Sequence, residues 1–109
     1  MIKNMKLKGK IKKNFDNFIF LGKLCDNSLF SIDVCKREFQ LNGEYEELDN
    51  STPALLYVTL QAQQDHRCYI ELPKPDIRFG KYVMVHESNL IDRNINISRF
   101  NPKIIIKKN

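Results

Sequence analysis

The sequence predicts an all-β domain, either a small closed barrel or a compact sandwich. Three observations lead there. Apolar and polar residues alternate in six to eight short stretches, the period of half-buried strands. Turn formers such as Asp26-Asn27-Ser28 and Asn42-Gly43 separate these stretches. No long stretch carries the spacing of an amphipathic helix. With 109 residues and 42% hydrophobic content, the chain supports one core, so residues 1–109 read as a single domain with short basic ends.

The first strand is expected over residues 6–12, with lysines at every even position and Leu7 and Ile11 pointing the other way. Residues 14–17 read as a turn or bulge. Residues 18–24 are apolar on both faces and are expected to cross the core. Phe30, Ile32 and Val34 alternate with Ser31 and Asp33, and Phe39 and Leu41 continue that alternation. The acidic stretch from Glu44 to Pro53 reads as a loop. Leu56, Val58, Leu60 and Ala62 are expected to face inward, as are Cys68, Ile70 and Leu72, in a hairpin turned by Gln64-Asp65-His66. Pro73-Lys74-Pro75 forbids a central strand. Residues 79–85 form another strand, with Phe79 assigned to the core beside Phe20, Phe30 and Phe39. A loop is expected from Glu87 to Asn94, with room for one helical turn. Ile95 and Ile97 again alternate with polar neighbours, and Ile104-Ile105-Ile106 precedes a basic tail.

Part of this pattern resembles a known family. A first strand interrupted in the middle (residues 6–12, then 18–24), a hairpin, a variable connection and a Gly80-Lys81-Tyr82-Val83-Met84-Val85 strand resemble small OB-fold single-stranded nucleic-acid-binding proteins. These include the small subunits of replication protein A and of telomere-capping complexes, and phage single-strand binders. Phe18-Ile19-Phe20-Leu21-Gly22-Lys23-Leu24 resembles their valine-glycine-arginine-like first-strand segment, and residues 80–85 resemble their fourth strand. The resemblance covers half the chain and rests on pattern. It departs from the family in lacking an amphipathic C-terminal helix and a clear helix between the third and fourth strands. It implies an OB-like Greek-key barrel of five to seven strands, with the compact β-sandwich as the alternative, and a place in DNA replication or telomere assemblies.

Charge is unevenly distributed. Residues 1–24 hold seven lysines against one acid, Asp16. Residues 25–80 hold five basic and ten acidic residues, and residues 81–109 hold six basic and two acidic. If the two ends meet in the fold, they make one basic surface suited to polyanions. Three cysteines, Cys25, Cys35 and Cys68, give no even disulfide framework, so they are read as reduced thiols of an intracellular (cytoplasmic or nuclear) protein. No apolar run is long enough to span a bilayer, and no membrane association is expected.

The row Lys6, Lys8, Lys10 and Lys12 is the strongest functional feature. Alternate strand residues lie about 6.6 to 7 Å apart, near the phosphate spacing of an extended single strand. The competing reading is a solvated sheet face, or edge lysines that prevent aggregation. Single-strand binders add aromatic platforms for bases. The candidates are Tyr57 and Tyr69 on the outward hairpin face, Arg67 beside Tyr69, Phe15 in the polar turn, and Phe100 beside Arg99. Coverage of a second core layer or a protein interface is the other reading for the tyrosines. His66-x-Cys68 lacks a second ligand pair, so no metal is expected. There is no phosphate loop, nucleophile elbow or deaminase motif, so neither catalysis, nor a cofactor, nor a small-molecule substrate is expected. The sequence therefore favours a binder of single-stranded DNA or RNA, alone or as the small subunit of a nucleoprotein complex. The alternative is a protein–protein module, either a structural subunit or a small viral or mobile-element inhibitor.

Overall fold

A computed structural model of the chain describes residues 2–41 and 52–93. Its strands are β1 (Lys3–Asn14), β2 (Asn17–Lys23), β3 (Leu29–Val34), β4 (Phe39–Leu41), β5 (Thr52–Gln64), β6 (Arg67–Asp76), β7 (Gly80–His86) and β8 (Leu90–Asp92). Short 3-10 turns at Lys36–Glu38 and Glu87–Asn89 lead into β4 and β8. The fold is all-β. The sheet order is β3-β2-β1-β5-β6-β7, antiparallel throughout. β1, β2 and β3 are joined in sequence, and β5 returns to lie beside β1, which is a Greek-key arrangement. Among the described residues eight strands are present, where the OB-like resemblance implies five to seven. The extra ones are short: β4 shares the long β5 with β6, and β8 shares the long β1 with β2.

The sheet curls into a half-barrel, and hydrogen bonds outside the strand ladders tie its ends together. Asp76, at the end of β6, accepts hydrogen bonds from the N–H groups of Ser31 (3.0 Å), Arg78 (2.6 Å) and Phe79 (3.0 Å). Arg78 donates to the Leu29 carbonyl at 2.6 Å. The free edge of β3 is thus held by the β6–β7 turn. Such satisfaction of edge groups removes a site for unwanted strand pairing. On the other side, the Cys25 N–H donates to the Met84 carbonyl at 3.0 Å, which ties the β2–β3 turn to β7.

The inner face follows the alternation. Phe30, Ile32 and Val34 are buried, as are Cys68, Ile70 and Leu72, and Val83 and Val85. Phe20 and Phe30 are fully buried, and each is worth about 1.5–3 kcal/mol of apolar transfer. Two glycines make room for their rings. A Cβ on Gly9 would lie 2.3 Å from Phe20 Cζ and 2.5 Å from the Leu21 carbonyl oxygen, and one on Gly22 would lie 2.3 Å from the Phe30 ring. β1 and β2 carry glycine because each is overlaid by a ring from the next strand.

Several expectations are corrected. Residues 6–24 are not one interrupted strand. They form a hairpin, β1 against β2, paired from Lys10 with Leu21 to Asn14 with Asn17. The polarity of residues 14–17 suits either a bulge or a reversal, and only the cross-strand pairing decides. Pro53 belongs to β5, not to a loop. It lies beyond the last β4 pair, Leu41 with Ala54, where a missing N–H is tolerated. The loop expected over residues 87–94 contains β8, whose pairing to β1 brings the late chain against the first strand. Ala62 does not face inward. A bulge between Leu60 and Ala62 shifts the register, so Ala62 pairs with Tyr69 on the outer face. Phe79 is exposed rather than in the core. β6 runs extended through Pro73 and Pro75, but its ladder to β7 is interrupted between Glu71 and Asp76, as those prolines require. The Asn42-Gly43 turn, most of the acidic stretch, and the strands proposed around Ile95, Ile97 and Ile104–Ile106 lie outside the described residues. Among the described residues no helix is long and apolar enough to cross a membrane.

Candidate nucleic-acid interface

The outer face of the sheet is set by the same alternation. On β1, Leu7 and Ile11 point to the core, so Lys6, Lys8, Lys10 and Lys12 point outward. The structure keeps three of the four as a usable row. Lys8 and Lys10 are exposed and Lys12 is half-buried, whereas Lys6 is only 7% exposed. Lys6 falls in the segment of β1 that pairs with both β5 and β8, with Tyr57 on one side and Ile91 on the other, whereas Lys8 and Lys10 lie beyond the β8 pairs. Among the described residues, neither Lys8 nor Lys10 has an ion-pair partner. Lys3, Lys74 and Lys81 do, pairing with Asp92 (2.7 Å), Glu38 (3.2 Å) and Glu71 (3.1 Å). Across the hairpin, Lys10 sits opposite Leu21 and Lys12 opposite Ile19, both half-buried. A cationic row therefore runs beside an apolar one.

Tyr57 points outward but is not an open platform. The Arg93 guanidinium lies 4.7 Å from its ring centroid, and the same group donates to the Val58 carbonyl at 3.3 Å. A cation over the ring face occupies the position a base would take. Leu55, on the same side of β5, is fully buried. The middle of the outer face is therefore closed, and the open chemistry lies at its two ends.

The second end is formed by β6 and β7. Arg67, Tyr69 and Glu71 of β6 face outward beside Ala62 and Gln64 of β5 and His86, Met84 and Tyr82 of β7. The Tyr69 and Tyr82 rings stack at 5.8 Å between centroids and 17° between planes, and they remain 41% and 47% exposed. Aromatic pairs in this near-parallel geometry present a flat apolar surface with hydroxyl tips. A shallow groove of about 530 Å³ is lined by Ala62, Gln63, Gln64, Arg67, Tyr69 and Met84. Arg67 also borders a second groove of about 330 Å³, which continues over Met84, Tyr82 and Phe79 towards Cys25. Phe79 is 36% exposed, with the Arg78 guanidinium 4.8 Å from its ring centroid. The nearby acid is engaged: Glu71 accepts from Gln61 at 3.2 Å and pairs with Lys81.

Asp76 positions this end. Burial alone would raise its carboxyl, but the three backbone N–H groups and the Arg78 charge outweigh that and hold it below the ordinary aspartate value. Beyond Arg67, the His66 and His86 rings stack at 5.5 Å, and Glu87 meets His66 Nδ1. That hydrogen bond is the main reason the Glu87 carboxyl lies below its usual range. His66 and Cys68 do not share a site: His66 is exposed, while Cys68 is buried and its thiol is pushed up chiefly by desolvation. Among the described residues no group of three or more His, Cys, Asp or Glu side chains is placed to hold a metal ion.

The candidates read from the sequence thus fall into two groups. Lys8, Lys10, Lys12 and Phe15 share the β1–β2 hairpin, while Arg67 and Tyr69 share the β6–β7 face. Lys8 pairs with Leu55 and Tyr69 with Ala62. Those β5 positions are seven residues apart, about 23 Å along an extended strand. Lys6 and Tyr57 are enclosed between the groups, and Arg99 and Phe100 lie outside the described residues. Sequence reasoning missed Tyr82, Met84 and Phe79. The first two were within reach: Val83 and Val85 facing inward put Tyr82 and Met84 outward, on the face that carries Tyr69. Compared with known protein families, curated proteins and solved structures, the chain matches none.

Proposed function

We propose that the protein binds single-stranded nucleic acid without strong sequence preference, as a binding module rather than an enzyme. The observation that carries this reading is the stacked, half-open Tyr69–Tyr82 pair with Arg67 beside it on the outer sheet face. Bases stack on such rings whatever their identity, at about 1–3 kcal/mol per base, and an arginine alongside serves phosphate or base planes equally. Lys8 and Lys10, which have no ion-pair partner among the described residues, supply the long-range attraction that brings a polyanion to the surface. The Greek-key sheet and its outward aromatic residues also agree with the OB-like resemblance in the sequence, which adds the small subunit of a replication or telomere complex as the finer form of this proposal.

A second reading has its own support. Tyr69, Tyr82, Met84 and Phe79 together leave an exposed apolar area, the feature by which a protein partner is recognised. Fluorescence anisotropy with labelled oligo-dT, oligo-U and duplex, each titrated with salt, separates the two. Single-strand binding that weakens steeply with salt and exceeds duplex binding is the expected result. No binding to either single strand at low salt would leave the protein–protein module as the standing reading.

A further inference from the structure

Among the described residues, three other than glycine hold a left-handed backbone: Phe15 (φ 58°), Asn27 (φ 70°) and Asp65 (φ 56°). Asn and Asp are the side chains that tolerate this region, because a short polar group can bond locally to the backbone. Phenylalanine has no such compensation, and here packing supplies none. Phe15 forms the apex of the β1–β2 hairpin and is 88% exposed. Its neighbours Asn14, Asp16 and Asn17 are exposed turn formers, so the ring is the one apolar group at the tip. Glycine or asparagine at position 15 would build the same turn with less strain. A strained, exposed aromatic that the fold does not need points to use outside the fold.

The surroundings indicate what it meets. On the outer face of the strand that leads to this tip, Lys10 is exposed and Lys12 is half-buried opposite Ile19. The row of lysines at about 6.6 to 7 Å spacing leads along β1 to this apex. An aromatic plate at the end of a phosphate-spaced cationic row is the arrangement that takes an unpaired base on the ring and its flanking phosphates on the lysines.

We infer that Phe15 is a base-stacking contact at the tip of the β1–β2 hairpin, with Lys10 and Lys12 holding the phosphates next to the stacked nucleotide. The inference rests on the single-strand reading and deepens it. It adds a second point of base contact, at the opposite end of the outer face from Tyr69 and Tyr82. Because the closed area around Tyr57 and Leu55 separates the two points, each makes its own contribution to affinity.

The test uses the full chain with Phe15→Gly, Phe15→Asn and Phe15→Trp. The chain contains no tryptophan, so Phe15→Trp is a unique fluorophore at the tip. Phe15→Gly and Phe15→Asn are expected to raise the thermal midpoint, by relieving the backbone, while weakening oligo-dT binding at least fivefold. Phe15→Trp is expected to keep the affinity, and its fluorescence is expected to change and become shielded from acrylamide on addition of oligo-dT. Vesicles of phosphatidylcholine and phosphatidylserine are expected to leave that fluorescence unchanged. A lower midpoint for both Phe15→Gly and Phe15→Asn would show a structural ring and overturn the inference. A tryptophan signal that responds to vesicles and not to oligo-dT would overturn it in favour of a membrane contact. If wild type binds oligo-dT and the glycine variant binds within twofold of it, this inference fails alone. If wild type does not bind, the single-strand reading fails with it.

Discussion

The β1–β2 hairpin and the β6–β7 face lie on one sheet surface but carry different chemistry. The first offers charge: Lys8, Lys10 and Lys12 beside Ile19 and Leu21, with a single ring at the tip. The second offers rings: Tyr69 on Tyr82, with Met84 and Phe79 following and one open cation, Arg67, among them. Attraction and stacking are therefore supplied by separate regions, joined through β5 and closed to each other by Tyr57, Arg93 and Leu55. A ligand that uses both is long, flexible and polyanionic. A compact ligand uses only one.

The largest effect is expected where the two regions are physically latched. Asp76 holds the β6–β7 turn to β3, the strand next to the β1–β2 hairpin, and satisfies three backbone N–H groups from a nearly fully buried position. Asp76→Ala leaves those donors without their charged acceptor. It is expected to cost about 3 kcal/mol of stability, read as a lower urea midpoint. The pH dependence follows from the depressed carboxyl. Folding is favoured by Asp76 above the ordinary aspartate value of 3.8, and that contribution is lost as pH falls through the lower folded value. Stability measured from pH 5 down to pH 2 should therefore decline in wild type. The Asp76→Asn variant, less stable at neutral pH, should decline less over the same window. An equal decline would place the acid sensitivity elsewhere.

Much of the fold was legible because it is local. Phe30, Ile32 and Val34, and again Cys68, Ile70 and Leu72, reveal their inward face by alternation alone. What was not legible depends on partners distant in sequence. Lys6 matches Lys8 and Lys10 by pattern, yet β8 encloses it from 85 residues away in the chain, where Ile91 meets it. Ala62 continues the inward series of Leu56, Val58 and Leu60, and a single bulge turns it outward. Phe79 has the composition of a core residue but follows a turn that Asp76 holds at the rim. The candidate site was half visible: its individual members could be named, but their division into two ends could not, because register between strands decides it.

The rings are expected to dominate affinity. Each stacked base contributes about 1–3 kcal/mol, so Tyr69→Ala with Tyr82→Ala should weaken oligo-dT binding by roughly 100-fold. The salt slope should stay near the wild-type value, since no charge is removed. A collapse of the salt slope in this variant would mean that the two regions are not separable. The charge region is expected to show the opposite signature. Lys8→Gln with Lys10→Gln should weaken binding by roughly tenfold in moderate salt and lower the salt slope by about 1.4, at about 0.7 per phosphate contact on a single strand. Thermal stability should hold, because both side chains are exposed and unpaired among the described residues.

The smallest effect is expected between the two regions, and it sharpens the comparison most. Tyr57 has the outward orientation and the residue type of a base platform, and by pattern alone it equals Tyr69. The difference is Arg93, whose guanidinium covers the Tyr57 ring and bonds the Val58 carbonyl, whereas the Tyr69 ring stacks on Tyr82 and stays 41% exposed. Tyr57→Leu keeps an apolar side chain at the site and should change oligo-dT affinity by less than about twofold, since a covered ring gives up no stacked base. Arg93 would lose its ring contact, so a small loss of stability is expected, on the order of 0.5–1 kcal/mol. If Tyr57→Leu instead weakens binding as much as Tyr69→Ala, then Arg93 swings away when ligand arrives. The closed middle of the face would then be a cover that a single strand displaces, and the two ends would form one continuous site.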